Sequence, residues 1–251
     1  MSKKILFVVE GKRDESKYLI PVFKKALKLA DEDTVICKYK ASIYALYDQM
    51  KNEGYESFLS YLYSFDKSLF SDSTETPENS FSSVYLIFDL DPQRNDFSLR
   101  RISEMCDMFA DETRNGKIYF SVPMSQSIFD FSSYRQKSFN NRTYPIKKLA
   151  SDYKRESKQS SFLALKYNTT SLKALKVEDM YSVTVLNMKK YCYLTKTVFS
   201  SEWNKPYNPK EIVNAEAPYI CKGKISIICG GLLLIPDYSP VLVEQLKQKK
   251  K

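Results

Sequence analysis

The chain has 251 residues, of which 43% are hydrophobic and 14% are aromatic, so it can bury the core of one large domain and is not disordered as a whole. Its longest apolar run, residues 225–235, is too short to cross a bilayer, and no signal-peptide cleavage site follows the first apolar run. The five cysteines are scattered and form no CxxC pair. This usage is typical of a reduced protein, so we expect a cytoplasmic chain without a membrane partner.

Histidine is absent from the sequence. This excludes Ser-His-Asp and Cys-His catalysis and zinc held by histidine, and it leaves carboxylates, lysine, tyrosine, cysteine or an oxygen-bound metal as candidate catalysts. The net charge is +9, and a basic excess favours a polyanionic partner such as nucleic acid. Solvated lysines without a function would give the same count.

Strands and helices alternate through the first half of the chain. Residues 5–9 form an apolar run typical of a buried strand, and a helix with apolar positions from Tyr18 to Ala30 follows it. The patterns then predict, in order, a strand at 34–39, helices at 43–50 and 58–70, an exposed loop at 71–80, a strand at 84–88, a helix at 97–111 and a strand at 117–122. This alternation predicts an α/β fold, with a mostly parallel sheet flanked by helices.

The second half is polar and basic, with helical periodicity at 172–193 and a short helix predicted at 241–247. We therefore place a boundary near residue 133, between a first domain at 1–133 and a mainly helical, basic lobe at 134–251. The lobe interleaves cations with rings, which could contact phosphates and stack on unpaired bases, although ordinary amphipathic helices have the same composition. The residues concerned are Tyr134, Arg135, Lys137, Phe139, Arg142, Tyr144, Lys147, Lys148, Tyr153, Lys154 and Arg155.

Three carboxylates follow the two most apolar strands. Glu10 comes directly after the first strand, and Asp89 and Asp91 come directly after the strand at 84–88. In extended backbone two residues spaced by two point to the same side. If the strands are neighbours, the carboxylates converge within about 5 Å and need a hard cation, for which oxygen ligands select Mg²⁺ or Mn²⁺. The structural alternative is that these acids are helix caps and turn residues.

The same residues carry a resemblance to a known domain. The stretches FVVEGKRD (residues 7–14) and IFDLD (residues 87–91) resemble the Toprim domain of topoisomerases, bacterial primases and nucleases of the overcoming-lysogenization-defect class. The stretches at 42–47, 115–124 and 225–238 are similar to a narrower group of stand-alone bacterial Toprim-like proteins, which are associated with phage defence and often lie beside an ATPase.

The resemblance implies an Mg²⁺-dependent nuclease that cuts DNA or tRNA as the effector of an antiviral defence system. It implies that Glu10, Asp89 and Asp91 are catalytic and bind the metal, with Asp14 as a further ligand or a helix cap. Lys12, Arg13 and Arg94 would bind the phosphate. The implied partners are nucleic acid, an ABC/SMC-like ATPase and a second copy of the chain.

The sequence departs from these patterns at two places. Pro92 follows the second aspartate, where a glycine is frequent, and Gln126 stands where the narrower group carries an acid. These departures favour an alternative, namely a catalytically weak Toprim-fold subunit that binds nucleic acid or an ATPase without cutting. A small primase-like or RNA-maturation enzyme is a third possibility. No P-loop motif is present, so ATP hydrolysis would come from another chain.

Overall fold

A sheet of six strands lies at the centre of the protein. The computed structural model describes residues 4–11, 16, 19–55, 57–70, 76–130, 136–159, 161–200 and 206–240, so the helix predicted at 241–247 lies outside the described residues. The five strands from the first half are β1 (Lys4–Val9), β2 (Thr34–Lys38), β3 (Phe81–Asp89), β4 (Ala110–Asp111) and β5 (Gly116–Val122).

The strands of the first half are arranged in the order β2-β1-β3-β5-β4, and all neighbours are parallel except β4 and β5. Val9 is paired with Ile87, and Asp89 is paired with Ser121, so β1, β3 and β5 end at one edge of the sheet. Their side chains are almost all buried on both faces, as near-continuous apolar runs predict. The predicted α/β fold with a mostly parallel sheet flanked by helices is therefore confirmed.

The helices in the described part of the chain begin and end close to the predicted positions in the first half. Ser42 and Ser57 cap the second and third helices, because their hydroxyls accept the backbone N–H groups of Ala45 and Ser60. The third helix ends at Phe65 rather than near residue 70, because the Asp66 carboxylate accepts the N–H of Ser68 and starts a 3₁₀ turn. The helices are α1 (Ile20–Leu27), α2 (Ile43–Glu53), α3 (Phe58–Phe65), α4 (Leu99–Met108), α5 (Gln136–Asn140), α6 (Lys154–Gln159), α7 (Phe162–Tyr167), α8 (Val177–Leu194), α9 (Pro209–Ile220) and α10 (Leu234–Tyr238).

The second half is mainly helical, as predicted, but it also supplies three short strands. β6 (Thr143–Pro145) and β7 (Lys224–Ser226) form a separate antiparallel pair, and β8 (Ile228–Cys229) pairs with β5 of the central sheet. Gly230 follows β8 and packs so closely on β5 that a Cβ would overlap the carbonyl oxygen of Phe120. The second half therefore completes the sheet, and a boundary near residue 133 stays a prediction.

One hydrophobic core contains side chains from both halves of the chain. Four cysteines are buried in it, while Cys221 is exposed. None of the described helices is long and apolar enough to cross a membrane.

Candidate active site at the carboxyl edge of the sheet

Glu10 and Asp89 lie next to each other at the carboxyl edge of the sheet. β1 and β3 are parallel neighbours, and the backbone N–H of Glu10 donates to the carbonyl of Ile87 at 3.4 Å. The Glu10 carboxylate oxygen Oε2 accepts the backbone N–H of Asp89 at 3.2 Å. The structure thus brings these two predicted residues together, as expected for residues at the ends of adjacent parallel strands.

Asp91 is placed by a tight turn rather than by extended backbone. β3 ends at Asp89, and Asp91 has a left-handed backbone with a φ of 48°. Its N–H donates to the carbonyl of Pro123 at 2.9 Å, and its carbonyl accepts the N–H of Arg94 at 3.1 Å. Asp91 is therefore not extended, so the premise of extended backbone that we used to place Asp89 and Asp91 on the same side does not hold at Asp91.

Burial makes ionisation of Asp91 unfavourable. Desolvation raises the pKa of its carboxyl above the ordinary value, while a hydrogen bond from Gln93 and the positive charges of Arg94 and Lys154 act in the opposite direction. Gln93 Nε2 donates to Asp91 Oδ1 at 2.8 Å. A buried carboxyl with a raised pKa is stabilised in its charged form by a bound cation, so this environment suits either a shared proton or a metal ion.

The turn that follows β5 fixes the Asp89 side chain. The backbone N–H of Ser125 donates to Asp89 Oδ1 at 2.7 Å, and residues Ser125–Phe129 form a 3₁₀ turn. Gln126 is the next residue of this turn and is 8% exposed. The amide oxygens of Gln93 and Gln126 are buried and have no hydrogen-bond partner in the described part of the chain.

These atoms fit a hard divalent cation in kind, because all of them are oxygens and two are buried amide oxygens that lack a donor. The carboxylates by themselves do not form a metal-binding group. Among the described residues, no three acidic or cysteine side chains form a group that could hold a metal ion. Any cation at this edge would need oxygen ligands besides the carboxylates, and Gln93, whose amide nitrogen donates to Asp91, would supply one through its unpaired oxygen.

Arg94 lies beside these carboxylates but is already paired. Its guanidinium forms a bidentate ion pair with Asp96, with both N···O distances at 2.8 Å. The Arg94 guanidinium lies 5.3 Å from the centre of the Tyr44 ring, and that of Arg101 lies 5.6 Å from the same ring. The Tyr44 hydroxyl donates to the carbonyl of Leu90 at 2.7 Å, which holds the ring to the residue that lies between the two aspartates in sequence.

Three of the residues predicted to act at the site, Lys12, Arg13 and Asp14, lie outside the described residues. For the described rings of the second half that the prediction named, the structure supports ordinary packing rather than base stacking. Phe139, Tyr144 and Tyr153 are buried, so these rings pack in the core and cannot stack on bases.

Sequence reasoning did not single out Tyr44, Gln93 or Ser125 as site residues. Ser125 acts through its backbone N–H, which leaves no signal in the residue type. Gln93 and Tyr44 are recognisable only once the turn after β3 is known. The sequence places Lys154 among the basic residues of the second half and gives no sign of its connection to Asp91.

No protein-family model matches the chain, and no curated protein or solved structure matches it significantly.

Proposed function

We propose that this chain is an Mg²⁺-dependent phosphodiesterase of the Toprim type that cuts nucleic acid. The observation that carries the proposal is the direct contact between Glu10 and Asp89 at the carboxyl ends of adjacent parallel strands. Asp91 follows in the next turn, in an environment that disfavours its ionisation. A carboxylate with a perturbed pKa that is grouped with other carboxylates at a strand edge is a candidate for metal and proton chemistry.

The side chains have distinct roles in this proposal. When bound, Mg²⁺ would stabilise the negative charge that develops on the phosphate and lower the pKa of a bound water molecule. Asp89 and Asp91 would hold the ion, and Glu10 would share in holding it and accept a proton, because the chain has no histidine to do so. Arg94 would bind the phosphate, since its charge lies beside both Asp91 and Glu10.

The resemblance seen in the sequence suggests the setting of this activity. We propose that the protein acts in the cytoplasm as the effector of an antiviral defence system, controlled by a partner ATPase and able to form a homodimer. The lack of a P-loop motif in the sequence supports a separate ATPase subunit.

A second candidate function is binding of nucleic acid or an ATPase without cleavage. It is supported by the absence, within the described residues, of three acidic or cysteine side chains grouped for a metal ion. The neutral Gln126 supports it as well, since it follows the residue that donates to Asp89 and an amide supplies an oxygen ligand without a charge.

The test is cleavage of supercoiled plasmid and of total tRNA with Mg²⁺ or with EDTA. We expect Glu10→Gln and Asp89→Asn to lower the cleavage rate by at least about 100-fold, the usual contribution of a positioned acid–base group. The matched control is Glu32→Gln, because Glu32 is exposed in the turn beside the amino end of β1 and should not affect the rate.

The outcomes separate the two candidates. Cleavage by the wild type that persists in EDTA, or cleavage that is unchanged in both site variants, would refute the metal-dependent site. If the wild type binds nucleic acid but does not cut it even with its ATPase partner, the binding function is supported. Gln126→Glu adds a charged ligand, so it should raise cleavage by a weakened nuclease and leave a pure binding protein inactive.

A further inference from the structure

A basic helical segment of the second half packs beside the carboxylate edge. It comprises a 3₁₀ turn (Ile146–Lys148), a π-helical stretch (Leu149–Tyr153) and α6. α6 packs against the turn Ser125–Phe129, whose first residue binds Asp89. The ammonium group of Lys158 lies 5.6 Å from the centre of the Phe129 ring in this turn. The segment is thus connected to the site through one element.

Most cations of this segment are not neutralised by neighbouring acids. Arg155 forms an ion pair with Asp152 at 3.0 Å, and the Glu156 carboxylate accepts the hydroxyl of Tyr144 at 2.9 Å. Four other cations of the segment form no ion pair with any described residue, and we call them the basic ridge: Lys147, Lys148, Lys154 and Lys158. Lys158 is half-buried, and the other three are exposed.

The basic ridge lies close to the carboxylates in the fold. α6, which begins at Lys154, packs against the turn Ser125–Phe129, and the N–H of Ser125 donates to Asp89. Arg94 lies in the turn after β3 that also holds Asp91, so the carboxylates have cations from two separate elements near them. A polyanion that reaches the carboxylates would therefore meet positive charge on more than one side.

The rings of this region are not available to a ligand. Phe139, Tyr144 and Tyr153 are at most 4% exposed, and the ring centres of Tyr144 and Tyr153 lie 5.0 Å apart in the core. The segment therefore presents ammonium groups without the aromatic surfaces that stack on bases. Ammonium groups contact phosphates and carry little base information.

We propose that the basic ridge binds the phosphate backbone of a nucleic acid that lies across the carboxylate edge, without reading its base sequence. This inference rests on the proposed function, because it names the surface and the mode by which the same site takes its substrate. It assigns a binding role to lysines of the second half, next to a site whose carboxylates come from the first.

The experiment measures binding of fluorescent oligonucleotides of two unrelated sequences by anisotropy, in EDTA, over a series of salt concentrations. The variants are Lys154→Ala and the double variant Lys148→Ala/Lys154→Ala. The control is Lys67→Ala. Lys67 is exposed, as Lys154 is, but it lies far from the site. It is close in sequence to Phe70, whose ring centre lies 5.4 Å from that of Phe81 at the amino end of β3. Phe81 is about 26 Å from Asp89 along the strand.

Each lysine removed from the ridge should lower the slope of log K against log salt by about 0.7 to 0.9, equally for both sequences. Lys67→Ala should leave the slope unchanged, and thermal unfolding should show that all variants are folded. No binding by the wild type, an unchanged slope in the double variant, or a loss that depends on sequence would overturn the inference.

Failure of the nuclease proposal would look different. A wild type that binds with the ridge-dependent slope but never cleaves with Mg²⁺ would refute the nuclease and support the ridge. Mg²⁺-dependent cleavage by a protein whose salt slope does not change when the ridge lysines are replaced would support the nuclease and refute the ridge.

Discussion

Lys190 is a fully buried cation that connects α8 to the beginning of the second half, and its replacement gives a sharp test of the fold around the site. Its ammonium group donates to the backbone carbonyls of Phe139, Asn140 and Arg142 at 2.7, 2.8 and 3.0 Å. These carbonyls lie at the end of α5 and in the turn that follows, where helical hydrogen bonds have run out. Arg142 in turn donates to Asp130 at 3.0 Å, directly after the turn that holds Asp89.

Lys190→Met keeps the length of the side chain and removes all three donors. Each buried carbonyl that loses its partner costs about 1 to 3 kcal/mol, so the three together cost about 3 to 9 kcal/mol. Removal of the charge gives part of this back, because burial lowers the pKa of Lys190 to about 7 and therefore disfavours the ammonium form. We expect a net loss of about 3 kcal/mol in the free energy of unfolding. For a chain of this size the melting temperature should fall by roughly 6 to 12 °C.

The assay is urea unfolding and thermal melting of Lys190→Met beside Lys189→Met. Lys189 is the preceding residue of α8, and its ammonium group lies 5.3 Å from the Phe199 ring, a contact worth about 1 kcal/mol at most. A Lys190→Met protein as stable as Lys189→Met would show that the carbonyl contacts do not stabilise the fold, and the reasoning would be refuted.

The remaining predictions concern the site and the core. Asp89→Ala should lower the free energy of unfolding by about 1.5 to 3 kcal/mol more than Asp89→Asn, because only asparagine can still accept the N–H of Ser125. Equal stabilities of the two variants would contradict this. In urea unfolding, both variants should also lose the stabilisation by Mg²⁺. Burial raises the pKa of Glu216 from 4.5 to about 7, so the folded state binds more protons than the unfolded chain between these values and wild-type stability should fall as pH rises through them. Glu216→Gln should remove this fall in stability, so its free energy of unfolding should rise by up to about 3 kcal/mol relative to wild type between pH 5 and pH 8. A stability difference between the two proteins that does not change with pH would show that the carboxyl is not buried as described. Gly230→Ala should lower the free energy of unfolding by about 1 to 3 kcal/mol, and by more than Gly231→Ala does. A Cβ at residue 230 would overlap a backbone carbonyl of β5, whereas a Cβ at residue 231 would meet only the Ile87 side chain. Calorimetry that gave the reverse order would contradict this.

The sequence by itself determined the strands that build the site. The apolar runs of β1 and β3 carry their signal locally, since a strand buried on both faces is apolar at nearly every position. The placement of Glu10 and Asp89 followed from chain order and the rule that parallel strands end at one edge. The short strands β6, β7 and β8 escaped notice because two or three residues are too few to show a period.

Only the tertiary structure decided how the site is held together. The N–H of Ser125 reaches Asp89 across 36 residues, Lys154 lies near Asp91 from the other half of the chain, and Tyr153 is buried although its neighbours in sequence are charged. These contacts join residues that share no local pattern. They depend on which elements pack together and how each turn closes, because a buried polar group takes whichever partner the packing brings within hydrogen-bonding distance.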